Sequence, residues 1–257
     1  MACSQSFLKD VVKIKNKSPL IHNITNFVVM NNTANALLAL GASPVMAHAK
    51  EEVADMAGIA SAVVLNIGTL NPDWVESMKI AGNTALLKQI PLVLDPVGAG
   101  ATTYRTQVCK EIIEICKPAV IRGNASEIRA LVDSDIQTKG VDSTSASSSA
   151  IEAAKHLAQT SGAVVSISGE VDYITDGVVV NKVTGGSSLM PRVTGMGCTA
   201  TALTAAFVAV NGDMLEAATH AMQLMKSMGE LAATKSVGPG TFQMNFLDAL
   251  YLIDCNA

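Results

Sequence analysis

A carboxylate directly after a run of aliphatic residues stands at the carboxyl end of a buried strand, where open α/β sheets bind their ligands. Asp95 in LVLDPVGAG (92–100) is such a residue. The glycines at 98 and 100 let a ligand approach the backbone closely. Asp-Pro also starts turns, so the segment alone reads either way. RGNASE (122–127) follows a second aliphatic run. Asn124 suits a helix N-cap and Glu127 the third position of a capping box. Equally, Glu127 could orient metal-bound water while Arg122 contacts phosphate. Two carboxylates at adjacent strand ends, Asp95 and Glu127, meet the need of a Mg²⁺ ion held mainly by phosphate and water.

The third segment, TGMGCTA (194–200), opens a helix of small residues. Successive N–H groups at a helix start make an anion hole, and Gly195 and Gly197 keep side chains out of it. Cys198 sits where the helix dipole would lower a thiol pKa, although a free cysteine is as often a small buried residue. The fourth, PLIHNITNFV (19–28), places Asn23, Thr25 and Asn26 at a strand end before a helix. They read as caps, or as hydrogen-bonding partners for a neutral ligand rich in heteroatoms. Met46, in GASPVMAH (41–48), reads as core or as the wall of a small apolar pocket.

The elements that must position these residues alternate. Aliphatic runs predict strands over 19–22, 43–47, 62–66, 92–94, 119–121 and 163–167. Helical patterns lie between them, over 26–40, 72–88, 107–116 and 151–159, and the N-terminus has a short mixed helix pattern. This alternation predicts an α/β fold with parallel strands and helices on both faces. Asp176-Gly177 between two β-rich runs predicts an antiparallel hairpin of strands 172–175 and 178–182. Helices follow over 198–210, 214–233 and 241–253, and the Ser-rich stretch 134–149 reads as a surface loop. The whole chain, 1–257, reads as one domain.

Composition narrows the function. The 257 residues carry 18 Lys+Arg and 22 Asp+Glu, a formal charge of −4, which lacks the basic excess of nucleic-acid binders. Apolar residues at 49% exclude disorder as the main state, and a core must be built with only nine aromatics. Charged residues are 16%, against roughly 25% in ordinary soluble domains. That deficit points to surface hidden by a membrane or by partner subunits. The longest weakly polar stretch, 198–210, is shorter than the ~20 residues a span requires, so partner subunits are expected. Five cysteines without a CxxC pair, in a chain without an export signal, read as reduced cytoplasmic thiols. Zinc-ligand spacing and a Walker A motif are both missing. The spacing at 195–200 matches a dinucleotide fingerprint, but no buried strand precedes it and none follows.

Taken together, PLIHNITNFVVMNNTAN (19–35), GASPVMAHA (41–49), LDPVGAG (94–100), RGNASEI (122–128), ISGEVDYITDG (167–177) and TGMGCTATAL (194–203) resemble the hydroxyethylthiazole kinases of the ribokinase-like superfamily. The resemblance implies a ribokinase-like three-layer sandwich and transfer of the γ-phosphoryl of ATP to 4-methyl-5-(2-hydroxyethyl)thiazole, for thiamine salvage. It implies Mg²⁺ as cofactor and a homotrimer with active sites at subunit interfaces. Met46 and Gly195 would contact the thiazole, with Asn26 and its neighbours Asn23 and Thr25 completing the pocket across the interface. Arg122 and Ser168 would contact ATP, and Asp95 and Glu127 would serve Mg²⁺ and phosphate. The superfamily's base is an aspartate; Cys198 stands at that position here. Phosphoryl transfer needs little early base help, so Cys198 reads as a weak base or a spacer beside the anion hole of Gly195 and Gly197. Other readings are an ATP- or ADP-dependent dehydratase of hydrated nicotinamide cofactors on the same scaffold, a non-catalytic thiazole or nucleotide binder and, weakest, a nicotinamide oxidoreductase.

Overall fold

The computed structural model describes residues 4–136 and 146–253. Its eight-stranded sheet comprises β1 (Leu20–Ile24), β2 (Ser43–Val45), β3 (Ala62–Asn66), β4 (Leu92–Asp95), β5 (Val120–Asn124), β6 (Val164–Ser168), β7 (Asp172–Thr175) and β8 (Val180–Val183). The spatial order is β2-β1-β3-β4-β5-β6-β7-β8. All pairs from β2 to β6 are parallel, and β7 and β8 add antiparallel.

Successive strand side chains point to opposite faces, and both faces are apolar. Val64, Val93, Val120 and Val164 enter one core, while Val63, Leu94, Ile121 and Val165 enter the other. On the first face lie α1 (Gln5–Lys17), α2 (Met30–Leu40), α8 (Met196–Val208), α9 (Met214–Thr234) and α10 (Pro239–Tyr251). The second is covered by α3 (Val53–Ile59), α4 (Pro72–Leu87), α5 (Thr103–Cys116), α6 (Ala125–Ile136) and α7 (Ala146–Ser161). The expected three-layer α/β sandwich is therefore present, with its antiparallel hairpin at one edge.

Several boundaries differ from expectation for identifiable reasons. The hairpin's second strand starts at Val180 because the Asp176 carboxylate accepts the N–H groups of Val178 and Val179, both at 2.8 Å, and draws them out of the ladder. Helix α5 starts at Thr103, four residues early, because the Thr102 hydroxyl caps the N–H of Arg105. Of the stretch 134–149, residues 134–136 close α6 and 146–149 open α7; the remainder lies outside the described residues. Strands β1 and β5 run longer than predicted, so Asn23, Arg122 and Asn124 lie on strands rather than beyond them.

Helix α1 is fastened to the first face by a buried polar cluster. Asp10 accepts from Asn211 Nδ2 at 2.7 Å, from Lys13 Nζ at 2.8 Å and from His220 Nδ1 at 2.9 Å. Burial alone would raise the Asp10 carboxyl, but the bonds from Lys13, Asn211 and His220 outweigh it and hold it below its ordinary value of 3.8. A carboxyl depressed on folding stabilises the protein above its unfolded pKa, and that contribution is lost as pH falls through the folded value. Urea denaturation should therefore show stability falling as pH drops below about 4, with Asp10→Asn flattening that limb. At pH 7 the variant should lose about 1.5–3 kcal/mol, the range for hydrogen bonds to a charged group.

Candidate active site

The carboxyl ends of β1, β3, β4 and β5 meet the start of α8, and the predicted residues other than Met46 gather around them. Asp95, the last residue of β4, is buried. One of its oxygens accepts from Asn66 Nδ2 at 2.8 Å and from the Thr201 hydroxyl at 2.7 Å. Burial pushes its pKa up to about 6; the Arg122 charge and the bonds from Thr201 and Asn66 oppose this, and the Glu127 charge adds to it.

The capping reading of the second segment holds. Asn124 Oδ1 accepts the N–H groups of Ser126 and Glu127, each at 3.0 Å, and Glu127 Oε2 accepts the Asn124 N–H at 2.8 Å, a complete capping box. The other oxygen, Glu127 Oε1, accepts the N–H of Gly98 at 2.8 Å. Glu127 thus locks the glycine turn after Asp95 to the start of α6, and its charge still acts on Asp95.

Gly195 caps the start of helix α8, and its φ of +83° favours glycine. A Cβ there would lie 2.8 Å from Val29 Cγ1. Arg122 reaches across from β5: Nη1 donates to the Gly197 carbonyl at 2.9 Å, and Nη2 donates to the Ser168 hydroxyl. Arg122, Ser168, Gly195 and Gly197 line a cleft of about 790 Å³. Its walls include Met190, Met222 and Met225 and no aromatic ring.

On the other side of the α8 start sits Asn26. The expected cap reading fails for it, because α2 begins only at Met30. Instead, Asn26 Nδ2 donates to Asn66 Oδ1 at 2.9 Å and to Cys198 Sγ at 3.4 Å, and Oδ1 accepts the Val28 N–H. Thr25 is buried at the end of β1. Asn23 lies within β1, its Nδ2 bonded to the Ile21 carbonyl and its buried Oδ1 without a partner. Met46 is half-buried in the connection after edge strand β2 and does not line the cleft. His22 Nε2, bonded to the Ala47 carbonyl at 2.6 Å, ties that connection to β1.

Cys198 corrects an expectation. Burial, followed by the nearby Asp95 charge, pushes its thiol up to about 11, so the helix dipole does not make a thiolate. The protonated thiol is the form present at neutral pH.

Three groups escaped the sequence reading. Asn66 ends β3 opposite Asp95, so the strand-end rule could have found it. Thr201 lies one turn beyond Gly197. Arg105 holds the loops that flank the site: Nη1 donates to the carbonyls of Ile67 and Val97, and Nη2 to that of Gly68. For Arg105 no sequence signal existed.

The donor set fits magnesium. Asp95 and Glu127 offer hard oxygens, and among the described residues no cluster of three or more His, Cys, Asp or Glu could cage a metal alone. An ion here would depend on phosphate and water for its remaining ligands.

Comparison with known proteins shows the family. Residues 11–256 match the hydroxyethylthiazole kinase family. A hydroxyethylthiazole kinase of Nitratidesulfovibrio vulgaris (strain DP4) is 58% identical over 246 residues, covering 96% of this chain and 92% of that protein. The structure of a hydroxyethylthiazole kinase protein from Pyrococcus horikoshii OT3 superposes with a TM-score of 0.90 at 43% identity, covering 98% of this chain and 94% of the other. A ribokinase-like superfamily protein from Enterococcus faecalis V583 shares the fold at a TM-score of 0.67 and 14% identity, covering 96% and 94%. A helix start beside a nucleotide-sized cleft, with Asn26 bonded to Cys198 on its other side and Asp95 bonded to Thr201 beneath it, is thus found in a chain that belongs to the hydroxyethylthiazole kinase family.

Proposed function

We propose that the protein transfers the γ-phosphoryl group of ATP to the primary alcohol of 4-methyl-5-(2-hydroxyethyl)thiazole, with Mg²⁺ as cofactor, in thiamine salvage. The observation that carries this reading is the position of the α8 N-terminus. One side of it opens into the cleft lined by Arg122 and Ser168, and Asn26 contacts the other through Cys198. A phosphoryl group at that N-terminus would pass from a donor on the first side to an acceptor on the second. The dehydratase and the non-catalytic binder are not favoured, because the family match runs through both halves of the site.

The chain's own contribution is positioning and charge stabilisation. The backbone N–H groups of residues 195–198 face the transferring phosphoryl, where fixed donors stabilise developing charge. Arg122 sets those donors by holding the Gly197 carbonyl, and brings its positive charge to the ATP side. Ser168 contacts ATP from the end of β6. Asp95 and Glu127 would hold the magnesium ion, which offsets phosphate charge when bound. Asn26, with Thr25 and Asn23 behind it, orients the thiazole alcohol, while Met46 and Gly195 supply apolar and backbone contact. Methionine and aliphatic walls grip the rings, as the shortage of aromatics requires.

A homotrimer completes the site in this reading. Met46 lies away from the cleft of its own chain, beside the edge strand β2. The exposed Phe27 and Val28 flank Asn26 and would be covered by a neighbour. Trimerisation also explains the deficit of charge. Three free thiols among the described residues, Cys109, Cys116 and Cys198, agree with a reducing cytoplasm, and no described helix is long and apolar enough to cross a membrane.

ADP release should be strictly dependent on the thiazole alcohol in a coupled assay. ATP hydrolysis without the alcohol, or no turnover, would sink the kinase reading. Cys198→Ala should keep its kcat within about tenfold of wild type, since loss of a true general base costs ~10²–10⁴-fold. Light scattering after size exclusion should give three times the protomer mass. Phe27→Asp should lower both that mass and the activity, and a wild-type monomer at micromolar concentration would refute the trimer.

A further inference from the structure

Lys226 is a buried cation in the cleft wall with no part in the chemistry above. It lies mid-way along α9, with only 5% of its surface exposed. An ammonium removed from water must be paired and fully hydrogen-bonded. Its Nζ lies 2.7 Å from the Gly169 carbonyl, 3.0 Å from the Glu170 carbonyl and 3.3 Å from Asp172 Oδ1. An ammonium has three N–H donors, and these three acceptors use them all. No donor is left for a phosphate, so Lys226 does not act by touching nucleotide.

Its acceptors are two carbonyls of the turn between β6 and β7 and the carboxylate of Asp172, which opens β7. Asp172 Oδ1 closes the same turn by accepting the Gly169 N–H at 2.9 Å. Ser168 immediately precedes the turn, and its hydroxyl accepts from Arg122, whose other terminal nitrogen holds the Gly197 carbonyl. The chain of contacts therefore runs from α9 through the turn to Ser168, Arg122 and the first turn of α8. The stem of Lys226 packs beside Gly186, where a Cβ would lie 3.0 Å from Lys226 Cδ.

We propose that Lys226 is a positioning residue for the nucleotide, a tethered cation that fixes the 169–172 turn so that Ser168 and Arg122 stay in register with the α8 anion hole. The assignment rests on the cleft being the ATP site. Because the cage consists of two carbonyls and a carboxylate, it would accept a free ammonium ion once the side chain is removed.

The test is steady-state kinetics of Lys226→Ala and of the uncharged pair Lys226→Met/Asp172→Asn, each checked for folding by circular dichroism. The KM for ATP should rise about 10–100-fold, as misplacing one hydrogen bond from Ser168 or Arg122 to a charged phosphate predicts, while kcat at saturating ATP and the KM for the thiazole alcohol change far less. Ammonium chloride, but not sodium chloride at equal ionic strength, should restore the ATP KM of Lys226→Ala. If Lys226→Ala does not fold, the double variant decides by its ATP KM, since it leaves no unpaired buried charge. A folded variant with an unchanged ATP KM overturns the proposal. So does a parallel rise in both KM values that ammonium leaves untouched. Failure of the cleft reading itself would look different: wild-type protein would bind no ATP, or would bind it unaffected by substitutions at Ser168.

Discussion

The hydrogen bond from the Thr201 hydroxyl to Asp95, 2.7 Å long and fully buried, joins a helix to the sheet at the one place where chemistry needs both. It can form only because α8 comes unusually close to the strand ends. Ala200, Ala202, Ala205 and Ala206 are all nearly inaccessible, as are Thr201 and Thr204, so the helix is packed on every side. Small side chains permit this approach, and the threonines return their hydroxyls to backbone carbonyls or to Asp95. With α8 in place, it lies over β3 and β4. Arg122 then has Gly197 within reach, and Asn26 has Cys198. A bulkier helix would lift that turn away from Asp95 and separate the two halves of the site.

The close fit has an electrostatic cost that the surroundings offset. Asp95 and Arg122 are both buried charges, and their hydrogen-bond partners belong to other elements. Arg122 Nε and Asn23 Oδ1 remain buried without partners. Such groups are rare in ordinary cores, where nearly all buried polar atoms are paired. Arg122 Nε lies in the site itself, and the stability that tolerates it comes from the aliphatic layers on either face.

Much of this arrangement was legible because backbone rules dictate it. Asp95 follows a strand, glycines open α8, and Asn124 and Glu127 have capping-box spacing; each feature needs only local sequence. The start of α2 was not legible. Asn26 looks like a cap, but its side chain is claimed by Asn66 and Cys198, residues distant in sequence. The Cys198 thiol misled for a similar reason, since the dipole of its own helix is local while the burial and the Asp95 charge that override it are tertiary. Lys226 was hidden inside a helical pattern, where a lone lysine reads as a solvated residue until the turn at 169–172 is seen beneath it.

The sequence distances within the site bear on how the chain acquires it. Asn26 meets Cys198 across 172 positions, and Asp95 meets Thr201 across 106. During synthesis the parallel strands β1 to β6 emerge first, with their carboxyl ends lacking the helix that caps them. No fragment ending before residue 201 contains a complete site. Catalytic competence is therefore a late event in the folding history of the chain, and activity reports on the assembled whole rather than on any early-folding part.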